Sequence, residues 1–302
     1  MRILVTGGTG FIGSHLAQRL SADKNNEITL LGLGNAGKPP AGGNVRRVNA
    51  DITDAEAVSR HVGNTDIIYH LAGNSRPEKG LDDTGLDMRV NFLGTYNVLE
   101  AMRKKDVKEI VFFSSVHVYG NTDALPTPES HAPLKPVNMY GASKIAAEGY
   151  VSAFASSFGM RAVIFRPGAI TGKGGEGAVS AFVSQLIKGG KRLEVRGNCR
   201  QCRSYIHIDD LLDGVEQGIR RAGNSLEIYN IGSGDMLEVR RVAEIVADEM
   251  GVNAEIACAE DNGETALRLW GDIGRLKETG WKPKCNSERA VRKAVREIAG
   301  GK

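Results

Sequence analysis

The sequence predicts an α/β protein: a doubly wound parallel sheet followed by a smaller α/β domain. Over the first 165 residues, short apolar runs alternate with longer helical patterns, the order that a parallel sheet covered on both faces requires. A glycine-rich turn directly after the first apolar run supports the same fold. The full length of 302 residues leaves room for the second domain.

The individual strands are predicted from short runs rich in β-branched and aromatic residues. These runs cover residues 3–6, 28–31, 45–48, 67–71, 110–114 and 162–165. Helical spacing of apolar residues predicts helices over residues 11–22, 55–61, 91–104 and 143–158. Six strands separated by helices favour one sheet.

The sequence changes after residue 166, where the glycine-rich stretch 168–177 predicts a loop. We therefore divide the chain into a first domain of residues 1–166 and a second of mainly 167–302. Further strands are predicted at 204–208 and 228–231, and further helices at 239–250 and 287–298. We expect a segment of about 204–231 to return to the large sheet.

Charge and hydropathy exclude several classes of protein. Lys and Arg number 39 against 36 Asp and Glu, without a basic block, so we expect no nucleic-acid partner. The apolar run at 3–5 is too short for a signal-peptide core, and glycines follow too soon for a membrane span. We expect a cytoplasmic protein with no membrane partner.

The four cysteines predict no disulfide framework in a chain of this length. Cys199 and Cys202 have the spacing of half a zinc site, but Cys258 and Cys285 are isolated. We expect ordinary thiols and no metal. Structural zinc and a redox or disulfide role are the alternatives.

The turn after the first strand, residues 7–13, reads GGTGFIG and opens the first predicted helix. In that position it predicts the phosphate-binding loop of a dinucleotide-binding Rossmann domain. Gly7 permits the tight turn, Gly10 lets the backbone approach a pyrophosphate, and Gly13 lets the helix pack closely on the sheet. The pyrophosphate would lie on the helix N-terminus.

The acidic residue that usually follows such a loop by about 20 positions is missing. Gly32 occupies its place, and Asn35 ends the segment. A carboxylate there would bind the adenosine ribose and repel a 2′-phosphate. We predict NAD, leave NADP open, and expect Asn35 or Lys38 to contact the ribose or a phosphate.

A second motif, Tyr140-Gly141-Ala142-Ser143-Lys144, lies downstream. On a helix its tyrosine and lysine share one face. Lowering the pKa of a phenol from about 10 to about 7 takes roughly 4 kcal/mol. One cation about 4 Å away, at an effective dielectric of about 20, supplies roughly that much. With the glycine loop, the pair predicts redox chemistry, the alternative being an amphipathic helix that carries both by chance.

With these motifs in place, the chain resembles the extended short-chain dehydrogenase/reductase family, in particular its NAD-dependent nucleotide-sugar epimerases of the UDP-glucose 4-epimerase type. The resemblance runs nearly end to end. It is carried further by Asp51-Ile52, His70-Leu71-Ala72-Gly73, Asn91 with Gly94-Thr95, and residues 113–120, 166–167, 197–210, 229–234 and 280–283.

The resemblance implies that Ser115, Tyr140 and Lys144 are catalytic, with Ser115 bound to the reacting sugar oxygen. Asn91 would support the active-site helix. The implied NAD contacts are Gly7, Gly10, Phe11, Ile12, Gly13, Asn35, Asp51, Ile52, Leu71, Ala72, Gly73, Asn91, Tyr140 and Lys144.

His117 bears on the type of reaction. Alternation along an extended chain would turn Val116 away and place His117 on the same side as Ser115. Related dehydratases and decarboxylases carry an acidic residue at this position, so the histidine argues against elimination and decarboxylation. We expect His117 to line the sugar pocket, with an acid–base role of the 3,5-epimerase kind and plain packing as alternatives.

The implied reaction is epimerisation of a nucleotide-diphosphate sugar, UDP-glucose or UDP-galactose at C4, by transient oxidation to a 4-ketosugar. The second domain would bind the substrate, with Arg203 as the family's phosphate-binding arginine and Arg268 as a second candidate. Ala169 replaces the asparagine that the family usually carries three residues after Arg166, which indicates a different pocket shape.

Two other functions are possible on this scaffold. A nucleotide-sugar reductase or dehydrogenase would consume external NAD(P)H stoichiometrically, unlike an epimerase. A non-catalytic dinucleotide-binding regulator would not need Ser115, Tyr140 and Lys144 together. The resemblance also implies a homodimer joined through helices near 91–104 and 140–157.

Overall fold

The computed structural model describes residues 1–34, 44–259 and 266–300. The strands in chain order are β1 (Arg2–Thr6), β2 (Glu27–Gly32), β3 (Val45–Asn49), β4 (Ile67–His70), β5 (Glu109–Phe113), β6 (Arg161–Pro167), β7 (Ala169–Thr171), β8 (Arg192–Val195), β9 (Cys202–Arg203), β10 (Tyr205–His207), β11 (Leu226–Ile231), β12 (Leu237–Glu238), β13 (Glu255–Cys258) and β14 (Arg268–Leu269).

The α-helices in chain order are α1 (Phe11–Leu20), α2 (Ala55–Val62), α3 (Lys79–Asp82), α4 (Gly94–Lys105), α5 (Met139–Phe158), α6 (Ala178–Ile187), α7 (Ile208–Arg221), α8 (Val239–Glu249), α9 (Gly274–Glu278) and α10 (Ser287–Ala299). A π-helix, Met88–Leu93, precedes α4, and a 3₁₀ helix, Val116–Tyr119, follows β5. Among the helices described, none has the length and apolarity needed to cross a bilayer.

The chain forms two compact units, each made of three segments. Unit 1 comprises Met1–Val118, Leu134–Phe165 and Ile219–Ile228, and unit 2 comprises Tyr119–Pro133, Arg166–Gly218 and Tyr229–Lys302. Two parts of the chain therefore differ from the predicted division. The segment 119–133 belongs to unit 2, and the returning segment is shorter than 204–231, because β10 pairs with β7 and only β11 joins the large sheet.

Unit 1 is organised by a seven-stranded sheet in the order β11-β6-β5-β4-β1-β2-β3. In this order, every pair of neighbouring strands from β6 to β3 is parallel. This is the doubly wound order of a dinucleotide-binding fold, with the reversal of strand order between β1 and β4. The predicted fold class is confirmed, and β11 adds a strand to the six predicted ones.

Strands β1, β4 and β5 of this sheet are almost entirely buried because both faces are covered there. Leu4 of β1, Ile68 of β4 and Phe112 of β5 have no exposed surface, and they belong to one core with Val98 and Met102 of α4. Burying a side chain of this kind contributes about 1.5–3 kcal/mol. The continuous apolar runs in the sequence are what such a doubly covered sheet requires.

Unit 2 contains small sheets and a separate helical core. Strand β7 pairs with β10, β13 pairs with β8, and β9 lies between β12 and β14. Helices α6, α8 and α10 enclose buried Val183, Ile245, Val246, Val291 and Ala294.

The cysteines of unit 2 correct one prediction. Cys199 and Cys258 form a disulfide with their Cα atoms 5.5 Å apart, whereas Cys202 and Cys285 are free. Parallel pairing of β13 with β8 sets Cys258 opposite Val195, close to the turn that contains Cys199. The expectation of four ordinary thiols was therefore wrong for this pair, and a zinc site made of all four sulfurs is excluded.

Candidate active site

The glycine loop joins β1 to α1 at the reversal of strand order. Gly7 has a φ of 67°, and a Cβ there would stand 2.7 Å from the backbone nitrogen of Ala72. A Cβ on Gly13 would stand 2.3 Å from the Gly7 carbonyl oxygen. Gly10 precedes α1, where Phe11 and Ile12 form the first residues of the helix. Only glycine allows these approaches, so the loop fits a bound pyrophosphate.

The exit from β4 connects this loop to the rest of the site. The Leu71 nitrogen donates to the Thr6 carbonyl at 3.1 Å, and the Ala72 nitrogen donates to Oγ1 of Thr6 at 3.3 Å. A Cβ on Gly73 would stand 2.8 Å from Oδ1 of Asn91 and 3.5 Å from Nζ of Lys144. The predicted cofactor path thus runs directly to the predicted catalytic lysine.

Gly32, at the position of the missing acidic residue, lies close to the side chain of Thr9. A Cβ on Gly32 would stand 2.7 Å from Oγ1 of Thr9, so the threonine occupies the space of a larger side chain. After β3, the Asp51 carboxylate accepts a hydrogen bond from the Thr53 nitrogen, and Ile52 is buried. Asn35 and Lys38 lie outside the described residues.

Helix α5 carries the predicted catalytic pair. Its cap is Asn138, whose Oδ1 accepts a hydrogen bond from the Gly141 nitrogen at 2.8 Å. The helix begins at Met139 rather than at 143, so Tyr140 and Lys144 lie on it one turn apart. Ser115 is buried after β5, and its hydroxyl acts on Tyr140 by lowering the pKa of the phenol. The three predicted catalytic residues are therefore brought together within unit 1.

Lys144 is held by backbone and aromatic groups. Its Nζ donates to the Phe113 carbonyl at 2.8 Å and lies 5.0 Å from the centre of the Phe112 ring. Burial lowers the pKa of Lys144 to about 8, partly offset by Glu148 and Asp87. The lysine is therefore positioned by β5 as well as by its own helix.

Tyr140 differs from the electrostatic prediction. Although its side chain is only partly buried, removal from water raises the pKa of Tyr140 to about 12, which outweighs the hydrogen bond from Ser115. Nζ of Lys144 lies 5.9 Å from the phenol ring centre. The shift of the Tyr140 pKa is thus opposite in direction to the lowered pKa that the sequence predicts.

His117 lies beside Tyr140, but not for the reason predicted. Residues 116–119 form a 3₁₀ helix rather than an extended chain, so strict alternation does not apply. The His117 ring meets the Tyr140 ring edge to face, with centres 5.4 Å apart. Asn138 Nδ2 lies 3.3 Å from His117 Nδ1. Asn138, which sequence reasoning missed, was recognisable as a helix cap two residues before the tyrosine.

The two predicted substrate arginines lie in unit 2 on neighbouring strands. Arg203 in β9 is partly buried, and its Nη1 donates to the carbonyls of Cys202 and Leu267, both at 2.9 Å. Arg268 in β14 is exposed and is paired with Cys202 rather than with Arg203. Backbone carbonyls thus hold the Arg203 side chain in place, whereas Arg268 lies on the surface.

These features define a doubly wound dinucleotide-binding protein with a Ser-Tyr-Lys site. The model of the NAD-dependent epimerase/dehydratase family matches residues 3–232. The chain is 30% identical over 314 residues to UDP-glucose 4-epimerase of Mycolicibacterium smegmatis, covering 98% of this chain and 97% of that protein. It is 29% identical over 312 residues to dTDP-glucose 4,6-dehydratase of Streptomyces antibioticus, covering 98% and 91%.

A solved structure gives the same result. UDP-glucose 4-epimerase of Thermus thermophilus in complex with NAD has a TM-score of 0.90 to this chain at 28% identity, and 100% of each chain is covered. The chain belongs to the NAD-dependent epimerase/dehydratase family. The predictions of an enzyme and of NAD as its cofactor are confirmed at the level of this family.

Proposed function

We propose that the protein epimerises a nucleotide-diphosphate sugar at C4, with UDP-glucose and UDP-galactose as substrate and product. The observation that carries this proposal is the convergence of Ser115, Tyr140 and Lys144 at the end of the path from the glycine loop. His117 supports epimerisation over dehydration, because a neutral or cationic imidazole stands beside Tyr140 where dehydratases carry an acid.

In this mechanism Tyr140 is the general base. Its phenolate takes the proton of the sugar 4-hydroxyl and becomes the neutral phenol, and Ser115 hydrogen-bonds the same oxygen. Lys144 holds the nicotinamide ribose and adds positive charge near the phenol. Bound NAD would supply the acceptance and return of the C4 hydride, and its positive charge would add to that of Lys144 near the phenol.

The return step sets the product. The 4-ketosugar must present its opposite face before the hydride returns, while Tyr140 gives its proton back to the C4 oxygen. No cofactor is consumed over the cycle. The sugar therefore needs freedom to rotate while its diphosphate stays bound.

A substrate panel tests the proposal. The purified protein is incubated separately with UDP-glucose, UDP-N-acetylglucosamine and UDP-glucuronate, without added cofactor, and the products are separated by chromatography. We expect the C4 epimer, UDP-galactose, from UDP-glucose. A deoxyketo sugar would instead indicate dehydration, and turnover only with stoichiometric NAD(P)H would indicate a reductase.

Titration of cofactor-stripped protein with NAD and NADP tests which cofactor is preferred. Tighter binding of NADP would contradict the choice of NAD.

Arg203 is the residue we expect to bind the diphosphate. Replacing it with alanine should weaken UDP-sugar binding about 10- to 100-fold, since a hydrogen bond to a charged group contributes about 1.5–3 kcal/mol. Calorimetric titration with UDP-glucose measures the loss, and NAD affinity should stay unchanged. Arg200→Ala removes the same charge from an exposed position three residues earlier and is the matched control. Equal affinities in the two variants would refute the assignment.

We further propose a homodimer and a cytoplasmic location. Leu93 at the end of the π-helix and Phe158 at the end of α5 are 43% and 40% exposed, which favours a partner on these helices. Sedimentation analysis of the purified chain tests the dimer, and a monomer mass would contradict it. Fractionation of the producing cell tests the location.

A further inference from the structure

Asp87 is a buried carboxylate that the proposed mechanism does not use. It lies at the start of the π-helix with no exposed surface. Its Oδ1 accepts hydrogen bonds from Nδ2 of Asn74 at 2.9 Å and from Nδ2 of Asn91 at 3.0 Å. Among the described residues its Oδ2 has no hydrogen-bond partner, and it lies 2.8 Å from the point where a Cβ on Gly80 would stand. A buried carboxylate bound by neutral amides is unfavourable unless other groups offset its charge.

Hydrogen bonds fix the orientation of the Asn91 amide. The Ser143 hydroxyl donates to the Tyr140 carbonyl at 2.8 Å, so it accepts the 3.0 Å hydrogen bond from Asn91 Nδ2. The same Nδ2 donates to Asp87. Both amide hydrogens are thereby assigned, and the amide group is turned toward the carboxylate.

The opposite end of this amide faces the catalytic lysine. Asn91 Oδ1 accepts a hydrogen bond from the Asn74 nitrogen at 2.7 Å. Asn91 Oδ1 and Lys144 Nζ both lie within 3.5 Å of the point where a Cβ on Gly73 would stand. The amide dipole therefore has its positive end at Asp87 and its negative end toward the ammonium group.

We propose that Asp87 is a positioning residue: it orients the Asn91 amide and, together with Glu148, supplies the negative charge that keeps Lys144 protonated in the buried site. Its part in the reaction rests on the proposed function. The charge acts over a distance through the low-dielectric interior, where it is screened far less than in water. The widened turn of the π-helix is the element that presents both Asp87 and Asn91.

Other titratable groups face the same site. Glu148 on α5 acts on Lys144 in the same direction as Asp87, while the buried imidazole of His70 on β4 is neutral because burial lowers its pKa to about 3. His117 faces the Tyr140 ring. Asp87 thus shares the support of the Lys144 charge with Glu148, which predicts a partial rather than a complete loss.

Asp87→Asn removes the charge and keeps the shape. Without the anion, the ammonium form of Lys144 is less favoured, so its pKa should fall by at least about half a unit. Lysine-labelled full-length protein is titrated by NMR, with the Lys144 signal assigned from a Lys144→Met variant. The alkaline limit of epimerisation should move to lower pH with it. Asp210→Asn is the control, since Asp210 is a buried carboxylate of unit 2 that accepts hydrogen bonds from the nitrogens of Lys284 and Cys285.

An unchanged Lys144 midpoint in folded Asp87→Asn would overturn the proposal, as would an equal shift in Asp210→Asn. Asp87→Ser, smaller and also neutral, is the second variant. Failure of both Asp87 variants to fold would make this residue a folding determinant and would also overturn it. A shifted midpoint in a protein that epimerises no sugar would contradict the proposed function while leaving the charge support of Lys144 in place.

Discussion

Tyr140→Phe is expected to lower kcat for C4 epimerisation of UDP-glucose by about 10²–10⁴-fold, the usual contribution of a positioned general base. The substitution removes the hydroxyl whose pKa Ser115 lowers and keeps the ring that packs against His117. Product formation is measured by chromatography. The first half of the reaction, in which the sugar is oxidised and the cofactor reduced, is measured by the absorbance of the reduced cofactor. Saturating substrate separates an effect on this chemical step from an effect on substrate binding.

The control for this prediction lies on the same helix. Tyr150→Phe removes a hydroxyl from a side chain that is 42% exposed and contacts Phe92 through its ring. It should retain the wild-type rate, and both variants should bind NAD as the wild type does. Wild-type turnover by Tyr140→Phe would rule out the phenol as the base.

The raised pKa of Tyr140 gives this prediction its physical content. In the protein without cofactor the phenol is neutral over the physiological range, since burial raises its pKa to about 12. At 1.36 kcal/mol per unit, lowering the pKa to about 8 requires about 5 kcal/mol. Lys144 is present in either state, and we expect the positive charge of bound NAD to contribute to that shift.

Local signals made the glycine loop and the sheet predictable from the sequence. Gly7 and Gly13 belong to the turn that follows an apolar run. Backbone atoms of the same turn exclude a Cβ at Gly13, and backbone atoms at the end of the neighbouring strand β4 exclude one at Gly7. The spacing of Tyr140 and Lys144 is likewise a property of one helix. The family resemblance then supplied Ser115, which no local pattern distinguishes.

Contacts between distant parts of the chain were not predictable in this way. The hydrogen bond from Asn91 to Ser143 joins residues 52 positions apart, and it gives Asp87 its connection to α5. The burial that raises the pKa of Tyr140 also depends on packing that the pentapeptide does not contain. The 3₁₀ helix at His117 replaced the extended chain that strand alternation assumed.

The cysteines are the clearest case, because Cys199 and Cys258 are 59 positions apart and the motif at Cys199, its spacing to Cys202, is typical of zinc rather than of a bond to Cys258. Their proximity depends on the parallel pairing of β8 with β13. Both strands are short, and only the tertiary fold determines the register in which they pair. A disulfide is typical of oxidising compartments and rare in the cytosol. Its presence therefore counts against the predicted cytoplasmic location.

Removing this disulfide is expected to destabilise unit 2 by about 2–4 kcal/mol, because closing a loop of this length restricts the unfolded chain. Cys199→Ser with Cys258→Ser should lower the midpoint of urea unfolding, and dithiothreitol should lower it in the wild type but not in the double variant. Cys285→Ser, which changes a free and partly exposed thiol, should leave the midpoint unchanged. UDP-glucose affinity should fall together with stability, since Cys199 lies in the turn that leads into β9 and Arg203.

A thiol count decides whether the bond exists in solution. Denatured, unreduced protein should react with Ellman's reagent at two cysteines, Cys202 and Cys285, and at all four after reduction. Four reactive thiols before reduction would contradict the bond. In that case the turn at Cys199 would be held by its backbone alone, whose carbonyl accepts a hydrogen bond from the Arg240 nitrogen at 3.2 Å. Stability would then be insensitive to dithiothreitol, and the position of Arg203 would depend on the pairing of β9 with β12 and β14.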